Sequence, residues 1–291
     1  MKILMTGGAG DLGLVLTPLL ANRGDRPISF DIRPSIHPQA VDYQGSILNR
    51  DQLNTAMQGV DIVVHIAAWH GIHLVRGEKN AFDFWDLNVT GTFNVLETAV
   101  QNGIKNIVNI SSTSIHDTLD IYGNSKVHAE ALAQTYAGRH GCNIINLRPR
   151  AFIPYWNKAT YPNYIEWAKW FWPGAVHIDD VAQAVIKSID LLTLRKFDEP
   201  LTLTVDGAYD FSDEDLSQWD VDGPGTTFGR TYPNCTKLVE QFGLDPTIKP
   251  DKLDSKDTEK WLGYKPTYSL KNLLEELRVY GADGPPSPFT T

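Results

Sequence analysis

Short apolar runs alternate with amphipathic stretches over the first 150 residues of the chain. Runs of strand length lie at residues 2–6, 27–31, 60–67, 104–110 and 143–147. Residues 12–21, 87–101 and 122–137 read as helices. The unbroken apolar run at 60–67 is typical of a parallel strand that is covered on both faces. The alternation therefore predicts an α/β fold, a doubly wound parallel sheet whose ligands bind at the carboxyl ends of the strands.

The pattern changes after Pro149, where residues 150–175 are rich in aromatic residues, proline and asparagine. Three later segments keep a regular pattern, a helix at 179–192, a strand at 201–205 and an amphipathic helix at 270–280. The remainder is punctuated by glycine and proline. We therefore predict a first domain over residues 1–150, to which residues 176–206 return, and a smaller C-terminal lobe over residues 151–291.

Composition excludes several classes of partner. The net charge is −9 and no block of lysine and arginine occurs, so neither nucleic acid nor an anionic membrane is an expected partner. Cys142 and Cys235 lie far apart without CxxC spacing, which predicts neither a metal site nor a disulfide. A strand pattern begins at residue 2 and no apolar run approaches the ~20 residues of a membrane span. We expect a cytoplasmic protein that acts on a small molecule.

Glycines cluster where the first predicted strand meets the first predicted helix. Residues 6–13 read TGGAGDLG, which fits GxxGxxG through Gly7, Gly10 and Gly13, or GxGxxG starting at Gly8. Such glycines permit a tight turn and a close approach of the backbone to a pyrophosphate at the helix N-terminus. The strand before the turn and the helix after it favour a dinucleotide site over a purely structural turn.

Asp31 ends the second predicted strand, about 20 residues beyond the glycines, as the dinucleotide pattern requires. A carboxylate there accepts hydrogen bonds from both ribose hydroxyls and repels a 2′-phosphate. NAD is therefore favoured over NADP. Arg33, two residues later, leaves NADP open.

Tyr122 and Lys126 stand four residues apart on one face of a predicted helix. A phenol with a pKa near ~10 is a poor base at neutral pH, and a nearby lysine charge lowers that pKa. Residues 111–114 (SSTS) directly follow a predicted strand, at the edge where a substrate is expected. One of these hydroxyls can hold the substrate oxygen while Tyr122 exchanges its proton. Tyrosine and lysine at this spacing also occur by chance on helix surfaces.

An ordered set of segments resembles the extended short-chain dehydrogenases/reductases, the NAD-dependent epimerase/dehydratase group. The segments are TGGAGDLG (6–13), HIAA (65–68), NVTGT (88–92), ISSTS (110–114), YGNSK (122–126), LRP (147–149), VHIDDVA (176–182) and LGYKP (262–266). The resemblance spans nearly the whole chain. It implies a Rossmann domain that binds NAD, a C-terminal substrate-binding lobe and a homodimer packed through the helices at 87–101 and 122–137.

The same resemblance assigns roles to individual residues. Tyr122 would be the catalytic acid/base and Lys126 its electrostatic partner, with Thr113 as the first choice of hydroxyl partner and Ser112 as the second. Asn88 would lie near the cofactor. The implied cofactor contacts are Gly7, Gly10, Asp11, Leu12, Gly13, Asp31, Ala67, Asn88 and Lys126.

The chain departs from this family in ways that bear on the substrate. Residues 148–177 are much shorter than the family's nucleotide-sugar segment, residues 150–152 lack its usual asparagine, and no Asp-Glu pair follows Thr113. These departures disfavour a nucleotide sugar and a dehydration, and they resemble the compact uronic-acid dehydrogenases.

We therefore expect hydride transfer between NAD and a hydroxyl of a small sugar-like or hydroxy-acid substrate, a reaction of carbohydrate metabolism. His70, Arg150 and Ser112 are candidate substrate contacts. Arg150 is a candidate anion anchor or a surface arginine, and His70 is a candidate polar contact or plain loop surface. An NAD-dependent sugar epimerase and a non-catalytic NAD(P)-sensing protein remain alternatives.

Overall fold

Seven strands form one parallel sheet in the order β3-β2-β1-β4-β5-β6-β7. The computed structural model describes residues 1–117 and 119–289. Its strands are β1 Lys2–Thr6, β2 Arg26–Asp31, β3 Val41–Gln44, β4 Ile62–His65, β5 Asn106–Ile110, β6 Asn143–Pro149 and β7 Leu201–Val205. The strand order reverses between β1 and β4, so the carboxyl ends of these two strands mark the expected ligand-binding crevice. The predicted doubly wound α/β sheet is confirmed.

The helices alternate with these strands. They are α1 Asp11–Asn22, α2 Arg50–Ala56, α3 Gly71–Val75, α4 Ala81–Phe84, α5 Gly91–Gln101, α6 Ile121–His140, α7 Tyr164–Phe171, α8 Ile178–Leu194, α9 Asp213–Gln218, α10 Thr226–Thr231, α11 Thr236–Gln241, α12 Lys256–Leu262 and α13 Leu270–Tyr280. A π-helical turn, Trp85–Thr90, leads into α5, and a 3-10 turn, Thr113–His116, follows β5.

Local chemistry sets the ends of α6, the helix that carries Tyr122 and Lys126. The Asp120 carboxylate accepts the backbone N–H of Gly123 (3.1 Å) at the N-terminus. Gly141 ends the helix with a φ of 60°, a left-handed conformation that glycine adopts without steric cost. The N-cap places Tyr122 in the first turn of α6.

Contacts divide the chain into two units. Unit 1 comprises Met1–Arg150, Val181–Val205 and Ser255–Tyr264, and unit 2 comprises Ala151–Asp180, Asp206–Asp254 and residues 265–289. Ser255–Tyr264 belongs to unit 1, whereas the sequence pattern placed it in the C-terminal lobe. The reason is a contact on the sheet, because the Thr258 hydroxyl of α12 donates to the Thr204 carbonyl of β7. Residues 176–180, predicted to return to the first domain, lie in unit 2.

Unit 1 is held together by apolar side chains on the sheet. All four residues of β4 are buried, which explains the unbroken apolar run in the sequence. One buried cluster joins strands β1, β2, β4, β5 and β6 to the helices that cover them. It includes Leu4, Ile28, Phe30, Leu53, Val63, Val95, Leu96, Ile107, Ala133, Tyr136 and Ile144. This packing fixes the carboxyl ends of the strands, from which the candidate site is built.

Unit 2 has an aromatic core of its own. Trp167 is 1% exposed and Tyr164 is fully buried, and the Trp167 indole N–H donates to the Ile153 carbonyl (3.0 Å). The hydroxyls of Tyr164 and Tyr268 both donate to the Glu276 carboxylate (2.5 Å each). These contacts satisfy the polar ends of large buried rings.

No helix in residues 1–117 and 119–289 is long and apolar enough to cross a bilayer. In the same residues, no group of three or more His, Cys, Asp or Glu side chains is placed to hold a metal ion. Cys142 and Cys235 are buried free thiols.

Candidate active site

The glycine turn between β1 and α1 packs directly on neighbouring backbone. Gly7 has a φ of 72°, and a Cβ at this position would lie 2.9 Å from the backbone nitrogen and Cα of Ala67. A Cβ at Gly13 would overlap the Gly8 carbonyl. Both positions therefore require glycine, and Ala67 lies against the turn as the assignment of a cofactor contact requires.

The N-terminus of α1 suits a phosphate. Gly10 is the N-cap and provides no side-chain hydrogen bond to the helix, whose first residues are Asp11 and Leu12. Amides in the first turn of a helix lack partners within the helix, and this end of the helix carries partial positive charge. Because Gly10 has no side chain, a pyrophosphate could approach these amides closely. The residues of this turn therefore fit a dinucleotide.

Asp31 ends β2 beside the glycine turn, and its side chain is only 7% exposed. Its Oδ2 accepts the Ala9 N–H (3.2 Å), and its Oδ1 accepts the Arg33 N–H (3.0 Å). The Arg33 Nε lies 3.4 Å from the same Oδ1. An acid at the end of this strand is the group that holds the ribose hydroxyls in dinucleotide sites. The position of Asp31 therefore fits NAD.

His65 connects the ends of the central strands beneath the turn. Its Nδ1 lies 2.7 Å from Thr6 Oγ1 and its Nε2 lies 2.9 Å from Thr92 Oγ1. The Thr92 hydroxyl donates to the Asn88 carbonyl (2.6 Å), so it accepts from His65 Nε2–H, and Nδ1 accepts from Thr6. Burial, with a smaller effect of the Lys126 charge, lowers the pKa of His65 to about 3. His65 is therefore a neutral connector, a role that the sequence analysis did not assign to it.

Asn88 lies in the π-helical turn and is 2% exposed. Its Oδ1 accepts the Trp69 N–H (2.8 Å), while its Nδ2 donates to the Trp69 carbonyl and to Ser125 Oγ (3.0 Å each). Ser125 in turn donates to the Tyr122 carbonyl (2.7 Å). The side chain of Asn88 thus ties the loop after β4 to the first turn of α6, and its predicted cofactor contact stays a prediction.

Tyr122 is half-buried with its ring against the loop after β4. A Cβ at Gly71 would lie 3.2 Å from the Tyr122 ring, and the Phe84 ring packs edge-on at 6.2 Å between centroids. Burial raises the pKa of Tyr122, a hydrogen bond with the Ser112 hydroxyl opposes this effect, and the Asp120 charge adds to it. We expected Lys126 to lower this pKa, but in this structure burial outweighs every opposing influence.

Lys126 is 6% exposed, and its Nζ donates to the Ile110 carbonyl (2.8 Å) at the end of β5. The same Nζ lies 5.9 Å from the centroid of the Tyr122 ring. Burial lowers the pKa of Lys126 to about 8, and the Glu130 carboxylate opposes this shift. The ammonium is therefore held beside the phenol, as the four-residue spacing predicts.

The Ser112 hydroxyl lies within hydrogen-bonding reach of the Tyr122 phenol, where its hydrogen bond acts to lower the pKa of Tyr122. Ser112 is buried and accepts the Ser114 N–H (3.0 Å) as the cap of the 3-10 turn, whereas Thr113 is the first residue inside that turn. The contact favours Ser112, which the family resemblance implied as the second choice. The 3-10 turn sets this contact because it directs successive side chains to different sides. The catalytic role of either hydroxyl stays a prediction.

Glu130 was missed in the sequence analysis. It lies on α6 four residues after Lys126 and accepts two hydrogen bonds from Arg148, from Nε at 2.9 Å and from Nη2 at 2.6 Å. The Ser111 hydroxyl also donates to Glu130 (2.5 Å). This two-point ion pair joins β6 to α6, and the Ser111 hydrogen bond adds the residue that follows β5. The spacing of Lys126 and Glu130, one helical turn apart, was the available signal.

The candidate substrate residues differ in charge. Burial lowers the pKa of His70 to about 4, with smaller effects of the Lys126 and His73 charges, so the ring is neutral at pH 7. His73 Nδ1 accepts the His70 N–H (3.1 Å), which closes the first turn of α3. Arg150 follows β6, where its N–H donates to the Val205 carbonyl (2.9 Å). Substrate contact by His70 and Arg150 stays a prediction.

Comparisons with known proteins agree with this geometry. The family model described as "NAD dependent epimerase/dehydratase family" matches residues 3–163. An L-arabinose 1-dehydrogenase (NAD(P)(+)) from Haloferax volcanii is 31% identical over 181 residues, which cover 50% of this chain and 65% of that protein. A uronate dehydrogenase from Pseudomonas syringae pv. tomato is 26% identical over 176 residues, which cover 53% of this chain and 60% of that protein. The chain thus matches less than two thirds of either relative.

A solved structure shows the same fold over almost the whole chain. It is a dTDP-glucose 4,6-dehydratase from Streptomyces venezuelae with NAD bound, at a TM-score of 0.70 and 20% identity, covering 96% of this chain and 97% of that one. The family match spans the glycine turn, Asp31, Asn88, Tyr122 and Lys126. The chain therefore belongs to the NAD-dependent epimerase/dehydratase family.

Proposed function

We propose that this protein is an NAD-dependent oxidoreductase that acts on a hydroxyl of a small sugar-like or hydroxy-acid substrate. The observation that carries the proposal is the Ser112–Tyr122 hydrogen bond with Lys126 alongside, at the carboxyl end of β5. The glycine turn and Asp31 lie at the carboxyl ends of β1 and β2 in the same unit. A proton-transfer group and a dinucleotide cradle on one sheet edge are what such a reaction requires.

The residues divide the work of moving the proton. NAD, held by the glycine turn and Asp31, would supply the acceptor for the hydride that leaves the substrate carbon. Ser112 holds the substrate oxygen, and the phenolate of Tyr122 takes the hydroxyl proton as the carbonyl forms. Lys126 stabilises that phenolate through its charge. In the reverse direction Tyr122 returns the proton, and its raised pKa keeps it protonated for that step.

The substrate class rests on both relatives and residues. The two named dehydrogenases act on a sugar and on a sugar acid, as their names state. Neutral His70 suits a sugar hydroxyl, whereas Arg150 could bind a carboxylate through its permanent charge. The short segment after β6 supports a substrate without a nucleotide.

The test is a screen of aldoses, sugar acids and polyols with NAD and NADP in parallel, followed by NAD(P)H absorbance. We expect absorbance to accumulate with at least one sugar or sugar acid. An epimerase, the second candidate that the family match favours, would interconvert two sugars without net absorbance. Binding of NAD with no turnover of any compound would favour a sensing protein and contradict both enzymatic functions.

We also propose a homodimer formed through α5 and α6. Two apolar side chains on these helices support the proposal, because Phe93 is 39% exposed and Val127 is 36% exposed. Light scattering on the purified protein tests it, and a monomer at micromolar concentration would contradict it.

A further inference from the structure

A chain of buried hydrogen bonds joins the end of β1, where the glycine turn begins, to the helical segment that carries Asn88. We propose that His65 and Thr92 are positioning residues, which hold the π-helical turn Trp85–Thr90 in the form that keeps Tyr122 in place for proton transfer. This inference rests on the proposed function for the role of Tyr122. Its separate content is that two buried side chains outside the proton-transfer group set the position of the phenol.

The first observation is that the three hydrogen bonds of this chain run in one direction. The Asn88 carbonyl can only accept, so the Thr92 hydroxyl donates to it (2.6 Å) and accepts from His65 Nε2–H (2.9 Å). His65 Nδ1 is then the acceptor of the Thr6 hydroxyl (2.7 Å). Hydrogen bonds in series polarise and strengthen one another, so the loss of one member weakens the others.

The second observation is the burial of the chain. Thr6 is fully buried, and Thr92 and His65 are 3% and 4% exposed. Burial, with a smaller effect of the Lys126 charge, lowers the pKa of His65 to about 3, so the ring is neutral at pH 7. A buried group that loses its partner cannot replace the hydrogen bond with one to bulk water. The chain is therefore a fixed part of the folded protein at neutral pH.

The third observation is the place where the chain ends. Its last acceptor, the Asn88 carbonyl, lies inside the π-helical turn, and Thr92 is the second residue of α5, which follows that turn. A threonine hydroxyl that bonds the carbonyl four residues earlier often bends the helix that carries it. His65 fixes this hydroxyl through a second hydrogen bond. The chain thus stabilises the irregular turn that directs the Asn88 side chain inward.

The side chain of Asn88 extends this control to Tyr122. Its Nδ2 donates to Ser125 Oγ (3.0 Å), and Ser125 donates to the Tyr122 carbonyl (2.7 Å). The same amide bonds both backbone groups of Trp69 (2.8 and 3.0 Å). Two residues further along that loop, Gly71 packs against the Tyr122 ring. Tyr122 is therefore held on its backbone side and on its ring side by groups that depend on Asn88.

A pair of substitutions at Thr92 tests the inference. Thr92→Val keeps the shape of the side chain without the hydroxyl, whereas Thr92→Ser keeps the hydroxyl. For Thr92→Val we expect kcat to fall about tenfold or more, because a misplacement of about 1 Å caused by a distant residue can cost roughly 100-fold. The Kd of NAD should change by less than about threefold, since Thr92 acts on the part of the chain that leads to Tyr122. Thr92→Ser should keep both quantities within about twofold of the wild type.

Hydrogen–deuterium exchange of the full chain supplies a measurement that does not require turnover. In Thr92→Val we expect peptides that cover residues 69–71 and 121–126 to exchange about fivefold faster or more, because local opening becomes easier where hydrogen bonds are lost. Thr92→Ser should exchange like the wild type. Thermal unfolding establishes that each variant is folded.

Two further variants complete the design. Ser188→Ala is the matched control, because Ser188 is fully buried and its hydroxyl also donates to a carbonyl four residues earlier, that of Ala184 (2.8 Å), but on α8. It should leave kcat and the exchange of residues 69–71 and 121–126 unchanged. Thr6→Val removes the first donor of the chain, and it should raise the exchange of the same residues. It replaces Thr92→Val if that variant does not fold.

The outcomes separate this inference from the proposed function. If the wild-type protein turns over no compound in the screen, the proposed function fails, and the exchange measurement still decides the positioning role. That role is overturned if Thr92→Val keeps the wild-type kcat or the wild-type exchange at residues 69–71 and 121–126. It is also overturned if Thr92→Ser is as impaired as Thr92→Val, or if Ser188→Ala produces the same changes.

Discussion

Lys126 has a pKa of about 8 because its ammonium is buried, and the carboxylate of Glu130 limits the shift. Tyr122 has a raised pKa because the phenol is buried as well. Burial therefore favours the neutral form of both groups, and each charge that develops during the reaction needs a specific partner. Ser112, Lys126 and Glu130 supply these partners.

Removal of the Tyr122 hydroxyl should strongly reduce turnover. We expect Tyr122→Phe to lower kcat by at least about 100-fold, because general acid–base catalysis contributes roughly 100- to 10,000-fold. The Kd of NAD should stay within about twofold, since the residues proposed to hold NAD are the glycine turn and Asp31 and not the phenol. Stopped assays and calorimetry measure the two quantities, and normal turnover by the variant would contradict the assignment.

Glu130 should control the pH dependence of the reaction. In Glu130→Gln the opposing charge is lost, so the pKa of Lys126 falls below about 8 and the ammonium is lost at lower pH. We expect the pH at which kcat/KM declines on the alkaline side to move downward.

Glu97→Gln is the matched control, because Glu97 also accepts a buried partner's hydrogen bond, from Tyr136 at 2.7 Å, but lies on α5. Its pH profile should match the wild type. A Glu130→Gln profile that falls in height with an unmoved alkaline limb would indicate a purely structural ion pair.

At the residue level, the spacing of residues in the sequence predicts which side chains share one face of a regular helix, and little else about the site. Tyr122 and Lys126 share a face of α6, as four-residue spacing requires. The contact of Ser112 with Tyr122 depends on a 3-10 turn that no periodic pattern predicts. The raised pKa of Tyr122 could not be predicted either, because it depends on the burial of the ring against Gly71 and Phe84.

Among the elements, the π-helical turn Trp85–Thr90 is the one most closely linked to function, because π-helical turns are rare and occur frequently at functional sites. It directs Asn88 inward, where the amide meets both the loop after β4 and α6. The sequence predicts a plain helix over 87–101, since apolar spacing does not distinguish an inserted residue.

Replacement of the Asn88 amide should loosen that loop. Asn88→Ala leaves Trp69 and Ser125 groups without their partner, and each unsatisfied buried polar group costs about 1–3 kcal/mol. We expect the unfolding free energy to fall by at least about 2 kcal/mol and kcat to fall with it. Urea denaturation measures the first quantity.

Asn54→Ala is the control, because Asn54 is exposed on α2 and its side-chain oxygen accepts a hydrogen bond from Asn102 (2.8 Å). Its effect should lie within about 0.5 kcal/mol. If Asn88→Ala and Asn54→Ala lowered the unfolding free energy equally, the hydrogen bonds of Asn88 would not have the stabilising role proposed for them.

Element boundaries were predictable where apolar periodicity was strong. The helix predicted at 270–280 is α13, Leu270–Tyr280, with Leu270, Leu273, Leu274 and Leu277 buried. The run at 60–67 ends as a strand at His65, because Ile66 and Ala67 turn to donate to Thr6. The short helices α9 to α12 were not predicted, since six or seven residues are too few to show a period.

At the scale of the whole molecule, folding lowers the pKa of His65, His70 and His177. The pKa values are about 3 for His65 and about 4 for His70 and His177, in each case mainly through burial. Unfolded histidine takes up its proton near pH 6.5. Between pH 6.5 and 4 the unfolded chain therefore binds more protons than the folded one, and stability falls as the pH falls.

We expect the unfolding free energy to decrease by up to about 1.4 kcal/mol per pH unit for each of these histidines once the pH is well below 6.5. Urea midpoints at pH 7, 6 and 5 measure the slope. His65→Asn should reduce the slope of the unfolding free energy against pH by the contribution of one histidine. This reduction is expected whether or not the substitution changes stability at pH 7. His116→Gln, at an exposed position, should leave the slope unchanged, and an equal reduction there would contradict the explanation.

The late strand β7 completes the sheet of unit 1, and this limits how the protein can be truncated. β7 pairs in parallel with β6 along Ile145 to Pro149 and forms the edge of the sheet. About fifty residues of chain separate the end of β6 from the start of β7. A fragment that stops at Arg150 would keep the glycine turn and Tyr122, but β6 would have an unpaired edge that could pair with other copies of the fragment. Truncation would thus yield aggregates before it yielded a minimal nucleotide-binding module.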